Sequence, residues 1–235
     1  MNWHYGIRKD PNSIMKKKRK RRKQDDEEVI DLEGGEDIGQ ILDMFSGGME
    51  NKFSLAGDRV KRDGNDIYFY TSVKTASCLD LISALKSAER ENLTLQLENN
   101  LDEPPKIYLH INSLGGSVFD AFSVIDYILK CKVPVVSIIE GCAASAATMI
   151  SMVANERVIT KHSYMLIHQL SSMAWGKFSE IEDEFKNLQK LMRMIKGLYK
   201  EYTKVQMKKL DEILKHDIWW RAEDCLKFGL VDKID

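Results

Sequence analysis

Between Lys106 and Ala154 the chain twice runs a β-type segment into a turn of very small residues and out again as an apolar-periodic helix, and few architectures accept that order. "KIYLHIN" (106 to 112) enters "SLGGSVFDAFSVIDYILKC", where Gly115 and Gly116 precede a helix carrying Val118, Phe122, Ile125 and Ile128. "VPVVSIIEG" then enters "CAASAATMISMVAN". Parallel strands need a crossover of a dozen or more residues, so strand, glycine turn, helix, strand predicts parallel crossover units and an α/β fold. The same reading extends outward. "DIYFYT" (66 to 71) predicts a strand, and "TASCLDLISALKSAERE" an amphipathic helix with Leu79, Ile82 and Leu85 on one stripe. "LENNLDEPP" breaks the chain, and "ERVITKHSYMLIHQ" after Asn155 predicts a further strand.

The two small-residue turns hold the candidate chemistry. "GGS" at 115 to 117 lacks the GxxxxGK[ST] spacing and its lysine, and no G-x-G-x-x-G occurs there, which argues against nucleotide binding. In "SIIEGCAASAATM", Gly141, Ala143, Ala144, Ala146 and Ala147 clear the space around Ser145. Taken by itself, that run fits either close helix packing or a nucleophile that another chain must approach. Residues 141 to 145 read G-C-A-A-S, so the G-x-S-x-G elbow of ordinary α/β-hydrolases is disfavoured. Backbone amides of Gly116 and of the residue after Ser145 could each meet a developing negative charge.

A serine hydroxyl needs a base at neutral pH, and histidine, with an ordinary pKa of about 6.5, can take the proton and return it. Five histidines are available: His4, His110, His162, His168 and His216. His168 ends "YMLIHQ", on the side where parallel-sheet sites form, whereas His162 begins that segment. Three aspartates, Asp211, Asp217 and Asp224, compete to orient it. The four cysteines, Cys78, Cys131, Cys142 and Cys225, form no C-x-x-C pair and read as reduced, packed thiols. No metal or cofactor is expected.

At 43% hydrophobic and 30% charged residues, the chain has a globular composition. Its net charge of −1 hides the block "KKKRKRRK" (Lys16 to Lys23), directly followed by the acidic "QDDEEVIDLEGGED". Residues 1 to 50 therefore read as a disordered charged tail, and residues 53 to 235 as one domain. The basic block suits nucleic-acid contact, partner docking or a solubilising leader. No apolar run approaches the ~20 residues of a membrane span, and the start has no secretory h-region, so no membrane contact and a cytoplasmic location are expected.

The ordered set "YLHINSLGGSVFDAFSVIDYI", "GCAASAAT", "YMLIHQ" and "HDIWWRAEDCLKFGLVDKI" resembles the Clp protease proteolytic subunit family over residues 53 to 235. The resemblance implies a crotonase-like α/β fold of stacked ββα and βαβ units with a long protruding handle helix. It also implies a serine endopeptidase with Ser145 as nucleophile, His168 as base, Asp217 as its orienting residue, and an oxyanion hole from the amides of Gly116 and Ala146. Leu114 and Leu170 stand where that family usually has proline, Ala146 and Ala147 replace its usual Met-Gly, and residues 1 to 52 show little likeness to its N-terminal loops. Phe178, Ile181, Phe185, Leu188, Met192, Ile195, Tyr199 and Tyr202 repeat in alternating steps of three and four, a heptad stripe that matches the handle. Stacked homo-oligomeric rings and an AAA+ ATPase partner follow from the resemblance. Competing readings are a phage head-maturation or scaffold protease of the same fold, a crotonase-like acyl-thioester enzyme, and an inactive assembly subunit.

Overall fold

The computed structural model describes residues 60–235, so the expected disordered tail over residues 1 to 50, basic block included, lies outside the described residues. β1 (Lys61–Asp63) and β2 (Asp66–Phe69) form an antiparallel hairpin that turns at Gly64, with φ of 58°. Sequence reading missed β1, because three charged residues present no alternating apolar pattern.

From β2 the chain climbs by crossovers. α1 (Thr75–Glu98) leads to β3 (Ile107–Ser113), α2 (Val118–Lys130) to β4 (Val135–Ala144), and α3 (Ala146–Met152) to β5 (Glu156–Ile159). Each successive strand pairs parallel with the one before. β6 (Tyr164–Leu166) pairs parallel with the far end of β4. After α4 (Phe178–Tyr202) and α5 (Met207–Ile213), β7 (Trp219–Arg221) runs antiparallel to β6. α6 (Ala222–Lys227) leads to β8 (Lys233–Ile234), which closes the edge beside β5. The α/β crossover expectation holds.

Three local expectations change. On α1 the buried stripe is Cys78, Leu81, Leu85, Ala88 and Asn92, while Leu79 is 63% exposed. Successive steps of three fall short of a 3.6-residue turn, so 79, 82 and 85 drift around the helix, whereas 81, 85 and 88 stay on one face. α1 also runs past Glu91 to Glu98, and the chain breaks within "LENNLDEPP" as expected. The segment after Asn155 is two strands, not one. β4 pairs with β5 along Val136–Ile139 and with β6 along Cys142–Ala144, and between them Gly141, with φ of 81°, offsets the strand. The Gly141 N–H donates to Ser163 Oγ at 2.7 Å, keying the turn between β5 and β6 to that offset.

Strand alternation puts Ile107, Leu109, Ile111 and Ser113 of β3 inward, against Leu81 and Leu85 of α1 and Ala121, Val124, Ile125 and Ile128 of α2 in one core. The C-terminal ends of β3, β4 and β6 therefore finish together, which is where an α/β sheet leaves its crevice.

Candidate active site

β4 ends at Ala144 and α3 begins at Ala146, so Ser145 alone makes the reversal between them. It adopts φ 54° and ψ −122°, a region that residues with a Cβ seldom enter. Its N–H donates to Leu166 O at 2.9 Å, and its carbonyl accepts from Thr148 N at 3.0 Å and from Thr148 Oγ1 at 2.6 Å. The strained turn is thus held at both ends.

The glycines of the neighbouring loop are set by their close approach to this turn and to Val73. A Cβ on Gly115 would lie 2.6 Å from Ala144 O, 2.8 Å from Ser145 Cβ and 3.0 Å from Ala146 N, so only glycine lets this loop touch the serine turn. Gly115 has φ of 94° and Gly116 of 146°, and a Cβ on Gly116 would meet Val73 O at 2.2 Å. Val73 pins the loop from the other side: its N–H donates to Gly115 O at 2.8 Å, and Ser117 N–H donates to Val73 O at 2.8 Å. In that bridge the N–H of Gly116 turns away from Val73. Among the described residues, neither Gly116 N–H nor Ala146 N–H has a protein acceptor.

His168 lies two residues beyond β6, and Asp217 two residues before β7. The antiparallel pairing of Leu166 with Trp219 brings them together, with His168 Nδ1 3.2 Å from Asp217 Oδ1. The ring is largely covered and the carboxylate mostly exposed. Asp211 instead pairs with Lys196 Nζ at 2.6 Å, and Asp224 sits in the first turn of α6. His110 is engaged on the sheet between Asp66 Oδ1 at 3.0 Å and Glu140 Oε1 at 3.1 Å. A small pocket joins Gly116, Ser145, Ala146 and His168, walled by Met149, Leu170, Ile195 and Tyr199. All the predicted site residues meet there except Asp217, which reaches the pocket through the His168 ring. No direct hydrogen bond joins Ser145 Oγ to His168 among the described residues; such contacts commonly close only around substrate.

Other features carry less chemistry. A larger cavity of about 550 Å³ lies at the opposite ends of the strands and gathers Lys106, Glu156, Arg157 and Asp232, which are already paired with one another. All four cysteines are free, and burial pushes the Cys142 thiol up, away from the reactive thiolate. No cluster of metal-ligating side chains occurs among the described residues, and no helix there is long and apolar enough to cross a membrane. Sequence reading missed Thr148 and Tyr199 as parts of the site. The signal was there: one hydroxyl inside an alanine run and one phenol inside an apolar heptad stripe.

The chain is 29% identical over 189 residues to ATP-dependent Clp protease proteolytic subunit 1 of Protochlamydia amoebophila, covering 77% of this chain and 86% of that one. It is 35% identical over 142 residues to proteolytic subunit 2 of Treponema denticola, covering 60% and 71%. The fold superposes with a TM-score of 0.63 on a ClpP1 mutant from Listeria monocytogenes, at 23% identity and covering 74% and 92%. The Clp protease family model matches residues 65–235, which include the glycine loop, the serine turn, His168 and Asp217, and the chain belongs to that family.

Proposed function

We propose that this serine endopeptidase hydrolyses peptide bonds with Ser145 as nucleophile, His168 as general base and Asp217 as the residue that orients the imidazole. The observation that carries the reading is the pair of amides without acceptors, Gly116 and Ala146, lining the same pocket as Ser145 and His168. With Nδ1 held by Asp217, Nε2 is the ring nitrogen left to take the Ser145 proton. Attack by Oγ on the scissile carbonyl forms a tetrahedral oxyanion, which the two amides would stabilise. His168 then returns the proton to the leaving amine, and water repeats the sequence to free the acyl-enzyme. Asp217 fixes the ring and steadies the imidazolium.

The finer reading extends to assembly. Stacked homo-oligomeric rings are supported by the exposed apolar half of α4, where Phe178 is 83% and Phe185 60% exposed. An ATPase partner is supported by the ATP-dependent names of the relatives and by the want of any Walker-type lysine loop in the 235 residues. The acyl-thioester alternative is disfavoured by the His168–Asp217 pair, for which an amide-only oxyanion site has no use.

The test is a labelled fluorophosphonate followed by peptide mapping, run beside a fluorogenic peptide assay. Ser145 is expected to carry the label, and Ser145→Ala to lower kcat by about 10⁴-fold or more while melting and sedimenting as the wild type does. Hydrolysis undiminished in Ser145→Ala would sink the assignment.

A further inference from the structure

Thr148 and Tyr199 come from different parts of the chain, α3 and the C-terminal half of α4, yet their hydroxyls lie 2.6 Å apart in the core. Thr148 Oγ1 is also 2.6 Å from Ser145 O. A carbonyl can only accept, so the single Thr148 hydroxyl proton is committed to Ser145 O, and Tyr199 must be the donor to Thr148. The result is a directed chain: Tyr199 O–H to Thr148 Oγ1, Thr148 O–H to Ser145 O. Its anchor is rigid, since Tyr199 is 2% exposed and Thr203 Oγ1 donates to the Tyr199 carbonyl at 2.5 Å. Burial pushes the phenol up to about 12, which keeps it a neutral donor at any working pH.

The carbonyl at the end of this chain belongs to the same planar trans unit as the N–H of Ala146. The two point in opposite directions from one rigid plate, so whatever fixes the Ser145 carbonyl also fixes where the Ala146 N–H points. Rotating that plate would turn the N–H out of the pocket and break both bonds that Thr148 makes to Ser145 O. Ser145 itself sits at φ 54°, where backbone strain favours rotation unless surrounding bonds resist it.

We infer that Thr148 and Tyr199 are positioning residues, which hold the 145–146 peptide so that the Ala146 N–H faces the reacting carbonyl. The inference rests on the serine-peptidase reading above. Neither side chain touches the reacting atoms in this scheme. Their effect falls on the transition state, where the oxyanion exists, and not on ground-state binding.

The experiment uses the full-length chain and four proteins: wild type, Thr148→Val, Thr148→Ser and Tyr199→Phe. Each is read for kcat and KM on a fluorogenic peptide, normalised to fluorophosphonate-titrated sites, and for affinity for a peptide boronate. Thr148→Val removes the hydroxyl and should lower kcat about 10- to 100-fold, below the 10²- to 10³-fold loss of a whole oxyanion donor. Tyr199→Phe leaves the Thr148 bond unsupported and should lower kcat about 3- to 10-fold. KM should stay within about twofold in both, boronate affinity should fall in step with kcat, and Thr148→Ser should recover most of the activity. A purely structural role would lower the melting temperature and leave kcat per titrated site unchanged. Wild-type kcat per site in Tyr199→Phe overturns the relay, even if Thr148→Val is impaired. A wild-type chain whose Ser145 takes no label overturns the peptidase reading instead.

Discussion

The serine turn sets one residue of unfavourable φ, Ser145, against a neighbour small enough to approach it closely. Gly115 is that neighbour, since its positive φ and its contact with Ser145 each demand the absence of a Cβ. Gly115→Ala should cost about 1–3 kcal/mol of stability and more than tenfold in kcat/KM, because the atoms it would strike are backbone and cannot swing aside. Urea unfolding and peptide hydrolysis on the same preparation would measure both; a variant with wild-type values in each would refute the close approach. At this scale the motifs were legible in the sequence, while the choice of His168 and Asp217 among the other histidines and aspartates came from the family resemblance. Ser145, His168, Asp217, Gly116 and Ala146 stand in short motifs whose spacing survives folding. Thr148 and Tyr199 did not stand out, because their partnership spans 51 residues and exists only once α4 packs on α3.

Among the elements, α4 departs most from what one domain requires. Its heptad stripe was readable, but its burial is uneven: Ile195 and Tyr199 are in the core, whereas Phe178, Ile181 and Phe185 face outward. An apolar stripe left exposed on an amphipathic helix is suited to another surface. If the proposed assembly runs through α4, Phe185→Asp should dissociate it while leaving the melting of the single chain within about 0.5 kcal/mol, as expected for an exposed position. Sedimentation velocity beside thermal unfolding checks this, and an unchanged sedimentation coefficient would count against assembly through α4. The same gap between pattern and burial explains Leu79. A stripe drawn from sequence has a period, but which face it covers depends on the sheet beneath.

For the whole molecule, Arg157 ties distant parts of the chain together. Its guanidinium donates to both carboxylate oxygens of Asp232, at 2.5 and 2.9 Å, and to the carbonyls of Tyr202 and Gly229, joining β5 to the end of α4 and the C-terminal segment. The bonds from Arg157 hold the Asp232 carboxyl below the usual aspartate range. A carboxyl with a depressed folded-state value adds stability that is fully present above the ordinary range near pH ~4 and is lost as pH falls through the folded value. Asp232→Asn should thus be less stable than wild type by about 1 kcal/mol at neutral pH, a modest figure because the carboxylate is 44% exposed. The difference should shrink toward pH 3. Thermal melts across that range would test it, and a difference that did not vary with pH would assign the effect to packing instead of charge.

What the sequence by itself determined was local in origin: the alternation of strand and helix, the glycine turns, the serine among alanines, and the histidine and aspartate beside their strands. Each depends on residues within a few positions of one another, where backbone geometry and side-chain period act directly. Only the tertiary structure decided the rest. β4 is shared between β5 and β6 because Gly141 offsets it, His168 meets Asp217 because β6 and β7 pair, and Tyr199 reaches the Thr148 hydroxyl because α4 lies against α3. Those contacts form between segments far apart in the chain, and it is strand pairing and packing in a common core that bring them to hydrogen-bonding distance.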